Sequence, residues 1–164
     1  MLIDEAQKEM RSRFLGGFYG QLVSGLVWLI SAALATWSGP GTAIAELVIG
    51  GFFIFPITEL FIRLDGRGAK LSPENSLRSL GMQVAFVLPL SMPLLLPVTQ
   101  HSLNLFYPAM MILLGAHYVP FVFLYGMRMF AVLAALLLGG GVTIALYLPT
   151  SFSVGAWYLS LIHI

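Results

Sequence analysis

Long apolar runs are what most restrict the folds open to this chain. Phe14 to Trp37, Thr42 to Leu64, Leu80 to Val98, Leu105 to Met127 and Met129 to Leu148 form five stretches broken by few charges. Each is close to the roughly 20 residues a helix needs to cross the hydrocarbon core of a bilayer. Lipid offers no hydrogen bonds to a backbone, so segments of this kind must be helices that satisfy their own amides. Only one long run, Arg63 to Arg78, reads as comfortable in water; it carries four of the eight basic residues and no apolar run of its own.

Composition agrees with that division. Hydrophobic residues make up 59% of the chain and charged residues 9%, whereas soluble domains are about 25% charged. The expected class is an all-α, polytopic transmembrane helix bundle with five complete spans and the beginning of a sixth at Phe152. The lipid bilayer is its first partner. A net charge of +1, with the cations spread over three short segments, excludes nucleic acid as a second partner, because phosphate binding needs a concentrated basic face. With no cysteine there is no disulfide, thiolate metal site or cysteine nucleophile.

The basic residues also orient the bundle. Lys8, Arg11 and Arg13 precede the first span, Arg63, Arg67, Lys70 and Arg78 lie between the second and third, and Arg128 lies between the fourth and fifth. All eight fall on one side, which the positive-inside rule makes cytoplasmic. The N-terminus and the loop 63–79 are therefore expected in the cytoplasm, in a cell membrane. Segment 1–13 has apolar Ile3, Ala6 and Met10 at helical spacing, acids near its start and bases near its end. It reads as a short interfacial helix preceding a single transmembrane domain, 14–158. It is too acidic for a signal peptide, so the first span is expected to stay in the mature protein. The last six residues, Leu159 to Ile164, resemble one frame of the transposon-end adapter used to prepare sequencing libraries. They are set aside from fold reasoning, His163 included, as the mark of a truncated reading frame.

Ionisable groups inside the spans are the candidate functional residues, because they are costly in lipid and often mark ion or substrate paths. Glu46 and Glu59 are thirteen residues apart in the second span, about 20 Å along a helix and about 140° around it, so they form no catalytic pair. Glu46 near the helix start suits an end-cap, and Glu59 four residues before Arg63 suits an interfacial ion pair; a proton- or cation-handling role is the alternative for both. His117, at the middle of the fourth span, suits an interhelical hydrogen bond or a polar pocket with Tyr118 and Tyr125. No second histidine stands at ligand spacing, so no metal site and no cofactor are assigned. Pro89, Pro93 and Pro97 remove backbone donors from nearly one face of the third span, which makes it a candidate helix break lining a cavity, or else a packed, kinked helix. Gly16, Gly20 and Ser24, four apart, and the run Gly139-Gly140-Gly141 offer small surfaces for close helix packing.

Gly51, Pro56, Leu60 and Phe61 in the second span correspond to Gly115, Pro120, Leu124 and Tyr125 in the fourth, a faint repeat. Phe-Pro-Ile-Thr-Glu at 55–59, Pro-Glu-Asn-Ser-Leu at 73–77 and Gly-Ala-His-Tyr-Val-Pro-Phe at 115–121 resemble an uncharacterised family of small bacterial multi-pass membrane proteins. That resemblance implies a bacterial inner-membrane location and supplies no catalytic residues. No phosphate-binding loop, metalloprotease helix or nucleophile elbow is present. The leading expectation is a carrier or channel for a small solute or ion, with the proline-rich span, His117, Glu46 and Glu59 around a wet cavity. The alternative is a non-catalytic accessory or assembly protein, acting through its small-residue stripes on itself or on another membrane protein. An intramembrane enzyme using His117 and Glu59 ranks third.

Overall fold

The structure, a computed structural model, describes residues 1–66 and 70–163; Arg67, counted above with the bases of the long loop, and Ile164 lie outside the described residues. Among the described residues every regular element is helical: α1 (Ile3–Phe14), α2 (Phe18–Trp37), α3 (Pro40–Leu64), α4 (Leu77–Ser91), α5 (Leu95–His101), α6 (Phe106–Tyr125), α7 (Met129–Tyr147) and α8 (Phe152–His163), with short 3-10 turns between some of them. Five helical rods are long and apolar enough to cross a membrane: Ile3–Trp37, Pro40–Leu64, Leu77–His101, Leu103–Tyr125 and Met129–Tyr147. The all-α polytopic fold thus holds. The third rod runs to 25 residues, longer than its apolar run, because polar residues at both ends continue the helix.

The first rod is two helices. At Leu15, Gly16 and Gly17 the backbone turns left-handed, with φ of 51°, 60° and 87°. Glycines adopt this conformation without a Cβ clash, whereas Leu15 bears a cost of about 1–2 kcal/mol. The turn releases α1 from the axis of α2 and lays its apolar side, Ala6 and Met10, into the bundle, so this side faces protein rather than the membrane surface. Polar groups hold it there. Gln7 Nε2 donates to the Phe123 carbonyl at 2.6 Å, and the Arg11 guanidinium donates to the Tyr125 carbonyl. Both acceptors belong to the last turn of α6, where carbonyls lack helical partners and the helix dipole favours a cation. On the other side, the Glu9 carboxylate accepts from the Ser72 amide and hydroxyl and from Asn75 Nδ2, each at 2.8 Å. These bonds, that of Asn75 foremost, hold the Glu9 carboxyl below the usual carboxylate range.

Two helix pairs form the frame. In α6 and α7, a Cβ on Gly115 would stand 3.0 Å from the Ala134 carbonyl oxygen, and one on Gly141 would stand 2.7 Å from that of Pro108. Helices approaching this closely are held by dispersion across small residues, as the Gly-Gly-Gly run suggested for α7. Gly140 of that run lies under the Tyr158 ring, while Gly139 faces open space. The second pair is α2 with α3, and α8 covers α2 on another side. Residues 77–101 lean on α6 and on α1, and make no extensive contact with α3.

The proline-rich rod changes from α to 3-10 geometry at one point. Met92–Leu94 is a 3-10 turn, and there the Met92 amide reaches the Pro89 carbonyl, which Pro93 has no N–H to serve. Pro89, Pro93 and Pro97 all lie on the exposed side.

Gly141→Val is expected to destabilise the bundle by about 1–3 kcal/mol through overpacking, and Gly139→Val by less than about 0.5 kcal/mol. Reversible unfolding in mixed micelles would read both. The Glu9 bonds add a pH dependence: a carboxyl held low in the folded state stabilises fully above the ordinary carboxylate range and ceases to as pH falls through its lowered value. Protection of α1 amides from hydrogen exchange should therefore drop between about pH 6 and about pH 3. In Glu9→Gln the protection should already be low at the higher pH and change less.

Candidate functional site

A gap between the two helix pairs forms a cavity of about 330 Å³, walled by α2, α3, α4 and α6, with Met10 and Phe14 of α1 at the end that carries the basic residues. Small residues open it. Gly17, Gly20 and Ser24 line its α2 side and Gly51 its α3 side, and no atom stands within 4 Å of where a Cβ would be on Gly20 or Gly51. Of the stripe Gly16, Gly20, Ser24, expected to receive a neighbouring helix, Gly20 and Ser24 face this space instead, while a Cβ on Gly16 would stand 3.1 Å from Met127 Sδ. Gly16 itself belongs to the turn before α2. The faint repeat divides in the same way, since Gly115 is pressed against α7 whereas its counterpart Gly51 faces the void.

Polar groups are set into these mostly apolar walls. Tyr118 Oη donates to Gln21 Oε1 at 3.2 Å, and the Ser24 hydroxyl donates back to the Gly20 carbonyl. Three further wall residues, Trp28, Thr58 and His117, hold buried polar atoms with no hydrogen-bond partner: Trp28 Nε1, Thr58 Oγ1 and His117 Nδ1. Trp28 is 2% exposed. The interhelical hydrogen bond expected of His117 is absent at Nδ1; its ring rests on Phe121 and Tyr118, with centroids 5.1 and 5.9 Å apart. Glu59 also lines the cavity. It pairs with Arg63, Nε to Oε1 2.9 Å, the two side chains being 24% and 70% exposed respectively.

Of the sequence-derived candidates, Glu59, His117, Tyr118 and Pro89 thus share one cavity. Pro93 and Pro97 lie outside it. Glu46 is elsewhere, beside Ser31 and Tyr107. Its end-cap reading is corrected: α3 begins at Pro40 and its first turn holds no acidic residue, so Glu46, six positions on, lies past the amides that a cap would serve. It joins a packed cluster in which the Ser31 hydroxyl meets Tyr107 Oη at 2.7 Å and the Ala43 carbonyl at 2.9 Å. Gln21, Ser24, Trp28 and Thr58 were missed, although the spacing of the first three, at i, i+3 and i+7, places them on one helix face. His163 Nε2 lies 3.1 Å from Tyr118 Oη; it belongs to the six residues read as adapter-derived, and the site is built without it. Among the described residues no three His, Asp or Glu side chains gather to hold a metal ion.

Fold and cavity together define a small α-helical bundle, suited by its five long apolar helices to a membrane, with a partly polar chamber inside. The chain belongs to a family of unknown function, DUF7010, whose model matches residues 3–164. No curated protein and no solved structure matches it.

Proposed function

We propose that the protein is a carrier of the bacterial inner membrane for a small molecule with hydrogen-bonding groups, held in the α2–α3–α4–α6 cavity, with the N-terminus and the 63–79 loop cytoplasmic. The observation that carries this is that Trp28, Thr58 and His117, whose Nε1, Oγ1 and Nδ1 are buried and unpartnered, all line one chamber. An unmet buried polar atom costs about 1–3 kcal/mol. Three such residues around one chamber, on α2, α3 and α6, favour a guest that offers them partners.

A carrier fits better than an open channel. Away from the basic end, fully buried Tyr107 ties α6 to α2 through Ser31, and at the basic end Met10 and Phe14 stand across the chamber. Since α1 is attached through the left-handed turn at Leu15–Gly17 and held by the polar bonds of Gln7, Glu9 and Arg11, it is the element whose release, at the cost of withdrawing Ala6 and Met10 from the core, leaves the α2–α3 and α6–α7 pairs in contact. Enzymatic use is less favoured. Glu59 is engaged by Arg63, and no hydrogen bond joins it to His117 to make a base and nucleophile of the two.

The absence of native cysteine makes the test direct. Thr58→Cys and His117→Cys are expected to react with a membrane-impermeant thiol reagent at least about tenfold faster than Leu137→Cys, which is wholly buried away from the chamber and reacts only on opening of the fold. Labelling should come from the basic side and rise further when Gln7→Ala and Arg11→Ala loosen α1. Rates at Thr58→Cys and His117→Cys as low as at Leu137→Cys would mean a dry core and defeat the carrier reading.

A further inference from the structure

The chamber does not end at its polar walls. A second cavity of about 230 Å³ adjoins it, sharing Trp28, Gly51, Phe55, Ala85 and Pro89 and continuing away from the basic end between α3 and α4. Its further lining, Leu47, Phe52, Phe86 and Met92 among it, is apolar. The two helices flanking it do not close on each other, for α3 rests on α2 while α4 rests on α6 and α1. Phe52, Phe55, Met82 and Phe86, at this seam, are exposed large hydrophobics, the surface a bilayer would cover. A hydrated solute has no means of crossing such a rim. An alkyl chain crosses it without leaving an apolar medium.

From these observations we infer that the guest is a single-chain amphiphile taken sideways from the bilayer through the gap between α3 and α4. Its chain lies in the apolar groove and its uncharged, oxygen-bearing head among Trp28, Thr58 and His117. The inference rests on the carrier reading of the chamber and specifies its substrate class. Moving a chain from lipid into an apolar groove gains little by hydrophobicity, since lipid tails are as apolar as the wall. Selection therefore falls on the head. Trp28 Nε1 can only donate. Gln21 has its carbonyl oxygen engaged by Tyr118, leaving amide donors, and the Thr58 hydroxyl donates or accepts. The chamber thus calls for an accepting oxygen, as in an alcohol or ester. Among the described residues neither lysine nor arginine lines it, and the acid in its wall, Glu59, already engages Arg63, so an anionic head would meet a carboxylate and find no free cation lining the chamber.

Trp28 lines both cavities and supplies the reporter. In the full chain with Trp37→Phe and Trp157→Phe, the indole of Trp28 is the one left, and stearyl alcohol dibrominated at mid-chain is titrated into micelles holding the protein. Saturable loss of fluorescence is expected, reversed by unbrominated oleyl alcohol and moved at least about tenfold higher in concentration by Ala85→Phe, which fills the passage shared by the two cavities. Dibrominated stearate, its head ionised, should bind more weakly than the alcohol. Should the double tryptophan variant fail to fold, an alkyl alcohol carrying a chain diazirine is crosslinked to the unaltered chain, with adducts expected on the segment around Ala85 and Phe86. Quenching that does not saturate and is the same in Ala85→Phe, or adducts spread evenly over the lipid-facing helices, overturns the amphiphile. Thiol labelling at Thr58→Cys then separates the two ideas: a reactive thiol leaves a carrier for a small polar solute standing, and an inert one removes both.

Discussion

In hydrocarbon an amide without a partner has no water to turn to, and every irregularity of this chain is shaped by that fact. The proline-rich rod shows it most plainly. Three residues without N–H groups stand within nine positions, yet the rod stays helical, with a 3-10 turn in which the Met92 amide is shared between the Leu88 and Pro89 carbonyls. Hydroxyls add acceptors' partners nearby: Ser91 donates to the Val87 carbonyl at 2.7 Å, and Thr99 lies 3.0 and 2.9 Å from those of Leu95 and Leu96. Pro93 and Pro97 lie on the exposed side, outside the chamber, where their rings offer ordinary apolar surface, while Pro89 borders the chamber. Polarity within the bundle therefore comes from side chains, not from broken backbone.

That distinction explains what the sequence could and could not reveal. Hydropathy and length located the five long rods, because the rule that apolar segments must be helices is local. The loops followed from charge. What a small residue does is not local, since it depends on whether the neighbour comes closer or stays away. Gly115 and Gly141 admit a helix to contact distance, whereas Gly20 and Gly51 leave a void, and nothing in the four glycines themselves distinguishes the outcomes. The change from a polar to an apolar run placed a boundary at residue 13, beside the break at Leu15–Gly17, but the docking of α1 on the end of α6 was not readable from it. Gln7 and Arg11 find carbonyls 116 and 114 residues away, a pairing beyond the reach of any periodicity.

The candidate site was legible in part for the same reasons. Ionisable residues in a span attract attention by their cost, so Glu59 and His117 stood out. Neutral polar groups on an apolar helix do not, although Gln21, Ser24 and Trp28 share a face and complete the wall opposite His117. Glu46 failed as a cap because α3 starts at Pro40, two residues before the apolar run suggested, which sets Glu46 well past the four free amides at the helix start.

A mechanical link joins α1 to the chamber. The Arg11 guanidinium is bound to the carbonyl of Tyr125, whose ring stacks on Phe121 and Phe130 at 5.8 and 5.5 Å, and these three rings form part of the chamber wall. Tyr118 stacks on the same Phe130 at 6.0 Å and binds Gln21 across the gap. Displacing α1 would leave the terminal carbonyls of α6 without the donors that order its last turn, and that turn carries the aromatic wall. Conversely, a guest that spreads Tyr118 from Gln21 would shift the rings against which the Arg11 contact is set. Packed aromatic rings settle into discrete arrangements more readily than they deform gradually. In the proposed carrier, one short stack of rings would thus couple occupancy of the chamber to docking of α1, the polar bonds on α1 being individually worth about 0.5–1.5 kcal/mol or somewhat more where charge assists.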